Sequence, residues 1–158
     1  MLRSFFVENY LSIRDRQEIS FIPKATIDTQ ESRPSNQIMV YGPNGSGKTN
    51  LVMAMTYCFI KMGLYDHGMD YHISPEDHDR LIGDVRNTSR RDEPSSFGIE
   101  LGYNGVILGY SFSLDPSSAR IASERLSFTH NGGMREIFVR TGNHIELDEG
   151  IIKTSGII

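Results

Sequence analysis

A glycine-rich octet carries the residue types and the spacing that bind a nucleoside triphosphate. The sequence GPNGSGKT at residues 42–49 has the spacing Gly-x4-Gly-Lys-Thr, which is the P-loop pattern. Glycines let the backbone turn tightly, so that bare N–H groups surround phosphate oxygens at the start of a helix. In such a loop the lysine contacts the β- and γ-phosphates, and the hydroxyl that follows it is a ligand for Mg²⁺. The octet therefore predicts a site for a nucleotide and its magnesium ion.

The expected contacts can be assigned to individual residues. We expect Lys48 to be the catalytic residue and Thr49 to be the Mg²⁺ ligand. The predicted nucleotide-binding set comprises seven consecutive residues: Asn44, Gly45, Ser46, Gly47, Lys48, Thr49 and Asn50. From average residue frequencies, a chance match to the pattern is expected at roughly 4 × 10⁻⁵ per position. Nucleotide binding is therefore preferred to the alternative of a purely structural glycine-rich turn.

Hydrolysis needs an acidic residue that holds Mg²⁺ and a group that orients the attacking water. The pair Asp92-Glu93 follows polar residues rather than an apolar strand, and Asp115 begins an Asp-Pro turn. The pair Asp148-Glu149 follows residues 144–147, whose alternating pattern is typical of an exposed strand. Since none of these candidates fits the expected motif, the sequence leaves open whether this chain hydrolyses its nucleotide.

The residues on either side of the octet predict the elements that position it. The apolar run QIMVY at 37–41 predicts a short buried strand. Residues 49–62 contain no glycine or proline and have apolar residues at helical spacing, so we expect a mostly buried helix that ends at Gly63. Cys58 lies within this pattern, which favours a packing role over a reactive thiol.

Antiparallel strands are predicted at both ends of the chain. Residues 2–13 and 17–22 are rich in β-forming residues and are separated by the polar sequence RDRQ, which indicates a hairpin. From residue 97 onward, two apolar runs flank Asn104-Gly105, a pair typical of a type I′ turn. Two more strands are predicted within residues 119–130 and 135–141. We therefore expect one antiparallel β-lobe built from the first 22 residues and residues 97–147.

The segment between helix and β-lobe, residues 64–96, is polar and irregular. Ser74-Pro75 indicates the start of a short helix. Three histidines lie among acidic residues, at His67, His72 and His78, but their spacing matches no dense metal-ligand motif, so a solvated loop is preferred. Four arginines could form a basic patch, although solvated side chains are the preferred interpretation: Arg80, Arg86, Arg90 and Arg91.

Composition limits the class of protein. A 38% hydrophobic and 23% charged content is ordinary for a folded soluble domain. A net charge of -4 argues against nucleic-acid binding by bulk charge alone. The single cysteine excludes an internal disulfide and fits the reducing cytoplasm. The sequence contains no run of 18 apolar residues, the length that would indicate a membrane span. We therefore expect a cytoplasmic protein without a membrane partner.

Several stretches resemble the N-terminal lobe of ABC-type ATPases of the RecF, SMC and OLD group. The resemblance is strongest to OLD-like, AAA-family bacterial ATPases of antiphage defence. It rests on Asn9-Tyr10-Leu11-Ser12-Ile13 ahead of the octet, on the form GPNGSGKTNL, and on the β-rich sequences EPSSFGIELGYNGVILGYSFSL, IASERLSF and REIFVRTGNHI. Nearly the whole chain is covered, although only the octet is highly specific.

The resemblance implies a fold class and a domain organisation. The class is α/β: a P-loop NTPase N-terminal lobe of strand, P-loop and helix, combined with an antiparallel β-meander and an incomplete core. Residues 1–158 would form a single partial ATPase domain, with the P-loop part at 1–63, a variable segment at 64–96 and the β-lobe at 97–149. In the family the signature motif, the acidic pair and the switch histidine come from a C-terminal lobe. Relatives with a Q-loop also have a glutamine after the helix, whereas none follows Gln37.

The resemblance also implies a function. ATP and Mg²⁺ would be the cofactors, and ATP would lie between two heads of a homodimer or larger assembly, with ribose and base near residues 9–14. Nucleotide-driven dimerisation would then be coupled to an effector such as a nuclease or toxin, or to DNA, in antiphage defence. Hydrolysis is expected only with a missing C-terminal lobe or a partner chain. Two alternatives stay open: a non-hydrolysing nucleotide-binding regulatory module, and a small P-loop kinase.

Overall fold

The computed structural model describes residues 1–24, 32–63, 87–118, 120–130, 132–148 and 150. Within these ranges the chain forms one helix, α1 at Lys48–Lys61, and seven strands. The strands are β1 Leu2–Glu8, β2 Gln17–Ser20, β3 Ser95–Tyr103, β4 Val106–Leu114, β5 Ile121–His130, β6 Gly133–Thr141 and β7 His144–Leu147. Some sequence-based expectations lie outside the described residues: the short helix after Ser74, the histidines at 67, 72 and 78, and Arg80 and Arg86.

All seven strands form a single antiparallel sheet in the order β2-β1-β3-β4-β5-β6-β7. The N-terminal hairpin joins the later meander through β1 and β3, where Phe5 pairs with Ile99 and Val7 with Phe97. The predicted β-lobe, built from both ends of the chain, is therefore confirmed. With one helix and an antiparallel sheet, the described part fits the expected α/β class only loosely.

The tight turns follow from local chemistry. Asn104 and Gly105 have φ values of 49° and 74°, the left-handed pair that a type I′ turn requires. After β4, the Asp115 carboxylate accepts hydrogen bonds from the hydroxyl and backbone N–H groups of Ser117 and Ser118. Hydrogen bonds from the Ser117 hydroxyl and backbone, and from Ser118, lower the pKa of Asp115 to about 2. Asp115 is thus a turn residue, as predicted.

Helix α1 packs one side against the sheet. Ala54 and Cys58 are completely buried. They belong to a core shared with β1, the connection that follows it, β3 and β4: Phe5, Val7, Tyr10, Ile13, Phe97, Ile99, Phe112 and Leu114. Gly63, at φ 67°, ends the helix as predicted. The expectation of a mostly buried helix is wrong, because the sheet covers only one side and leaves Val52 and Met53 51% and 43% exposed.

The predicted strand at 37–41 is also wrong. The chain has no strand there, and its apolar side chains are exposed: Ile38 by 39%, Met39 by 85%, Val40 by 41% and Tyr41 by 87%. A strand requires hydrogen-bonded neighbours. The edge strands of the sheet that the described residues form are β2 and β7, and residues 37–41 pair with neither of them. The apolar run thus has the composition of a strand without the pairing.

A polar cluster lies on the sheet beyond the core. The Tyr110 hydroxyl donates to Glu124 Oε2 and Arg140 Nε donates to Glu124 Oε1, each at 2.6 Å. Glu124 and Arg140 are directly opposite each other on β5 and β6, where opposite charges stabilise a sheet. The cluster is thus a cross-strand tie between β4, β5 and β6.

Among the described residues, no helix is both long and apolar enough to cross a membrane.

Candidate nucleotide site

The P-loop backbone has the shape of an anion cradle. Gly45 and Gly47 have φ values of 79° and 88°, a left-handed conformation that glycine adopts at little cost. Gly47 is the N-cap of α1 and supplies no side-chain cap, and the first N–H groups of any helix lack an intrahelical acceptor. Those amides, together with the helix dipole, form a site that favours a phosphate group.

Lys48 lies across the loop that precedes it. Its Nζ donates to the carbonyl oxygens of Gly42 and Pro43, at 2.9 Å and 2.7 Å. The ammonium group is therefore held at the loop, with a flexible stem that can exchange carbonyl partners for a charged one. Thr49 lies in the first turn of α1 and is exposed, and Asn44, Gly45 and Ser46 form the exposed tip of the loop.

A groove of about 590 Å³ runs beside the P-loop, within the volume range of small-molecule sites. One wall comes from the connection between β1 and β2 and from β2: Ser12, Ile13, Arg14, Asp15, Gln17, Glu18 and Ile19. The other wall comes from the P-loop region: Val40, Tyr41, Gly42, Pro43, Ser46, Gly47, Lys48 and Leu51. Of the residues 9–14 predicted near ribose and base, residues 12–14 thus line a groove with the octet.

Asn9 and Tyr10 lie elsewhere. Asn9 is 1% exposed, and its Nδ2 donates to the carbonyl oxygens of Arg90 and Glu93 at 3.0 Å and 2.8 Å. Tyr10 is a core residue whose ring lies edge-on to Phe97, with centroids 5.5 Å apart. Both residues hold the turn in place and do not line the groove.

One contact that the sequence did not predict joins the turn to the P-loop. Asn50 Nδ2 donates to Ser12 Oγ at 2.7 Å. A Cβ placed on Gly47 would lie 3.1 Å from the same oxygen, so Ser12 packs closely over the start of α1. Ser12 lies in the stretch Asn9-Tyr10-Leu11-Ser12-Ile13, on which the family resemblance partly rests, but the sequence does not indicate that Asn50 is its partner.

Arg90 is an ion-pair residue rather than part of an exposed basic patch. Its guanidinium contacts Asp15 at 2.8 Å, Glu93 at 3.3 Å and Glu8 at 3.7 Å. Arg90 thereby ties the segment before β3 to the connection between β1 and β2. The preferred interpretation of solvated arginines misses this role, because the partners are distant in sequence.

Neither Asp92, Glu93 nor Asp148 lines the groove beside the P-loop, and Glu149 lies outside the described residues. Asp148 pairs with Arg135 at 3.3 Å and follows β7, which is five strand spacings from β1 in the sheet. At about 4.8 Å per spacing, that separation is about 24 Å. Glu93 pairs with Arg90. Within the part of the chain that the structure describes, no group of three or more His, Cys, Asp or Glu residues could hold a metal ion.

Comparison with known protein families gives a match over most of the chain. Residues 38–153 match the family described as "AAA domain, putative AbiEii toxin, Type IV TA system". The matched range covers more than two thirds of the chain and includes the octet, α1 and β3 to β7. A comparison with curated proteins found no match.

Proposed function

The chain belongs to this AAA-domain family of P-loop NTPases, and from that premise we propose that it is the ATP-binding lobe of an ABC-type ATPase of the OLD, SMC and RecF group. The observation that carries the proposal is the P-loop itself. Gly45 and Gly47 have the left-handed conformation, and α1 begins at Lys48 without a side-chain cap. The Lys48 ammonium is hydrogen-bonded to the carbonyl oxygens of the loop.

The residues of the octet fit Mg-ATP. The backbone N–H groups of residues 45–49 would bind the phosphate oxygens, as amides at a helix N-terminus do. Lys48 would exchange its two neutral carbonyl partners for charged phosphate oxygens, which make stronger hydrogen bonds. The Thr49 hydroxyl would hold the magnesium ion, which neutralises charge on the β- and γ-phosphates.

The groove would take the nucleoside. It continues from the P-loop along Ile13 and Arg14 on one side and Tyr41 on the other. These residues combine apolar surface with a few polar groups, which is the usual composition of a small-molecule site. The placement supports the expectation that ribose and base lie beside the first hairpin.

We further propose that hydrolysis uses groups from another lobe or another chain. Two observations support this: Asp148 lies about five strand spacings from β1, and apolar residues 38–41 are exposed next to the octet. Exposed apolar stretches of this kind mark surfaces that pack against another element. Nucleotide-driven dimerisation would then be coupled to a nuclease, a toxin or DNA in antiphage defence.

A second candidate is a regulatory module that binds nucleotide without hydrolysing it. It is favoured by the same distance between Asp148 and β1, because hydrolysis needs an acidic residue that holds Mg²⁺. The third, a small P-loop kinase, is disfavoured because such kinases follow the P-loop with βα units, whereas the strands after α1 form an antiparallel meander.

Calorimetric titration with Mg-ATP tests the binding proposal. Loss of a charge-assisted hydrogen bond typically costs about 1.5–3 kcal/mol, so Lys48→Ala should weaken binding by about 10- to 150-fold. Lys61→Ala is the matched control, because it removes a lysine from the last turn of the same helix. The proposal is wrong if the folded wild-type protein takes up no Mg-ATP, or if the two variants bind equally well.

Steady-state ATPase assays separate the candidates. With the chain alone we expect binding without turnover. ATP hydrolysis by the chain alone that disappears in Lys48→Ala would contradict the proposal that hydrolysis needs groups from another lobe or chain. Turnover that appears only when a co-encoded chain is added would favour the ATPase over the regulatory module.

A further inference from the structure

Residues 9–15, in the connection between β1 and β2, form the Ser12 turn. We infer that Ser12 is a positioning residue: it holds the P-loop in its nucleotide-binding shape and does not itself contact the nucleotide. This inference rests on the proposed function, because it concerns how that same site is shaped. It assigns a role to a contact that joins two parts of the chain 38 residues apart.

Ser12 touches the P-loop at two points. Its Oγ accepts a hydrogen bond of 2.7 Å from the Asn50 side chain, in the first turn of α1. The same oxygen lies where it would be 3.1 Å from a Cβ on Gly47, so it packs against the residue that caps the helix. Since Gly47 and Asn50 flank Lys48 and Thr49, this contact fixes the backbone from which the phosphate-binding groups project.

The Ser12 turn is stiff enough to act as a support. Asn9 and Leu11 have φ values of 53° and 49°, a conformation that costs a residue such as leucine about 1–2 kcal/mol. Two backbone hydrogen bonds of 2.8 Å between Tyr10 and Ile13 close the turn. Such strain persists only where surrounding contacts determine the conformation.

Those contacts come from residues 87–94. Asn87 Nδ2 donates to the Leu11 carbonyl oxygen at 2.9 Å, and Asn9 Nδ2 donates to the carbonyl oxygens of Arg90 and Glu93. The Arg90 guanidinium adds the ion pair with Asp15 at 2.8 Å. The turn is therefore held from one side by residues 87–94 and contacts the P-loop on the other.

This geometry gives Asn50 an indirect role. Its amide nitrogen donates to Ser12, so Asn50 orients the loop through the turn. Because the phosphate-binding amides precede Asn50 in the chain, a loosened turn would weaken phosphate binding while leaving every phosphate-binding group present. The preorganised loop thus depends on a hydroxyl group outside the octet.

Titrations with two probes test the inference. Ser12→Ala should weaken binding of Mg-ATP and of Mg-tripolyphosphate alike by about fivefold, the effect of one net hydrogen bond. Ser12→Thr, which keeps the hydroxyl, should restore binding to within about twofold. Ser4→Ala is the matched control, since Ser4 donates to Glu100 on β3 and not to the P-loop. Unchanged binding of both probes in Ser12→Ala would overturn the inference, and so would a loss confined to Mg-ATP, which would mean direct contact with the nucleoside.

A double-mutant cycle and hydrogen exchange complete the test. Asn50→Ala should add little to Ser12→Ala, because the two variants remove the same bond; fully additive losses would contradict the indirect role of Asn50. Without nucleotide, Ser12→Ala and not Ser4→Ala should speed exchange at the Leu51 amide, which donates to Gly47 at the start of α1. If the wild-type protein bound neither probe, the proposed function would fail, but hydrogen exchange would still decide whether Ser12 supports the loop. Equal exchange at the Leu51 amide in Ser12→Ala and Ser4→Ala would refute that support.

Discussion

Two glycines of the P-loop differ in one contact, and that difference predicts different costs of substitution. Gly45 and Gly47 have similar left-handed φ values of 79° and 88°. Alanine in that region is strained by about 1–2 kcal/mol. A Cβ at residue 45 would meet nothing within 4 Å, whereas a Cβ at residue 47 would lie 3.1 Å from Ser12 Oγ. Gly45→Ala is therefore a matched control for Gly47→Ala.

The excess cost at residue 47 can be worked out from the displaced contact. A distance of 3.1 Å is shorter than normal van der Waals contact, so Ser12 must move by a few tenths of an ångström. That movement disturbs its 2.7 Å bond with Asn50, a bond worth about 1 kcal/mol net. We expect Gly45→Ala to lower the free energy of unfolding by about 1–2 kcal/mol and Gly47→Ala by about 2–3 kcal/mol.

Urea unfolding followed by circular dichroism measures both values, provided that the slope against urea stays constant. In a Ser12→Ala background the oxygen is absent, so the two glycine variants should become equally destabilising. Equal losses in the wild-type background would refute the close packing of Ser12 on Gly47. An excess that survives in Ser12→Ala would show that another neighbour is responsible.

Three further predictions concern the sheet and core. Glu124→Gln should lower the free energy of unfolding by about 1–3 kcal/mol, because Arg140 loses a charged acceptor. Glu136→Gln is the control: it changes a more exposed pair with Arg125 and should cost less than about 1 kcal/mol. Equal losses of the two variants in urea unfolding would contradict a stabilising role of the Glu124 pair. Burial alone would raise the pKa of Glu124, but hydrogen bonds from Tyr110 and Arg140 outweigh it and lower the pKa. The resulting stability should be complete above the unfolded-state pKa and be lost as pH falls through the lower folded-state pKa, so acid unfolding curves of Glu124→Gln should be flatter there than those of the wild type. Burial raises the pKa of the Cys58 thiol to about 12, so a disulfide reagent at pH 8 should label it only in urea; rapid labelling of folded protein would contradict the packing of α1 on the sheet.

The parts of the fold that sequence predicted are those that local chemistry determines. Asn104-Gly105 imposes a turn whose twist matches a hairpin, and Gly63 ends α1 because it adopts the left-handed conformation. The octet can likewise be recognised from its own residues, since the left-handed glycines and the Lys48 contacts all lie within it.

The support of the site could not be predicted, because it depends on contacts between distant residues. Asn9 was expected near the nucleotide, yet its side chain bonds carbonyl oxygens 81 to 85 residues further along the chain. Ser12 belongs to the stretch Asn9-Tyr10-Leu11-Ser12-Ile13, but nothing in the sequence indicates that Asn50 donates to it. The octet could therefore be recognised from the sequence, whereas the contacts between distant residues that hold it could not.

The error at residues 37–41 has a different physical cause and bears on function. Apolar composition indicates that a segment would be stable in a sheet, but only hydrogen-bonded neighbours make it a strand. Exposure there alternates between about two fifths at Ile38 and Val40 and more than four fifths at Met39 and Tyr41, the period of an extended segment covered on one side. Val40 and Tyr41 also line the groove beside the P-loop. A further strand paired with residues 37–41 would bury exposed apolar surface and at the same time hold Val40 and Tyr41 in place beside the P-loop. Packing of such a strand would therefore also change the shape of the nucleotide site.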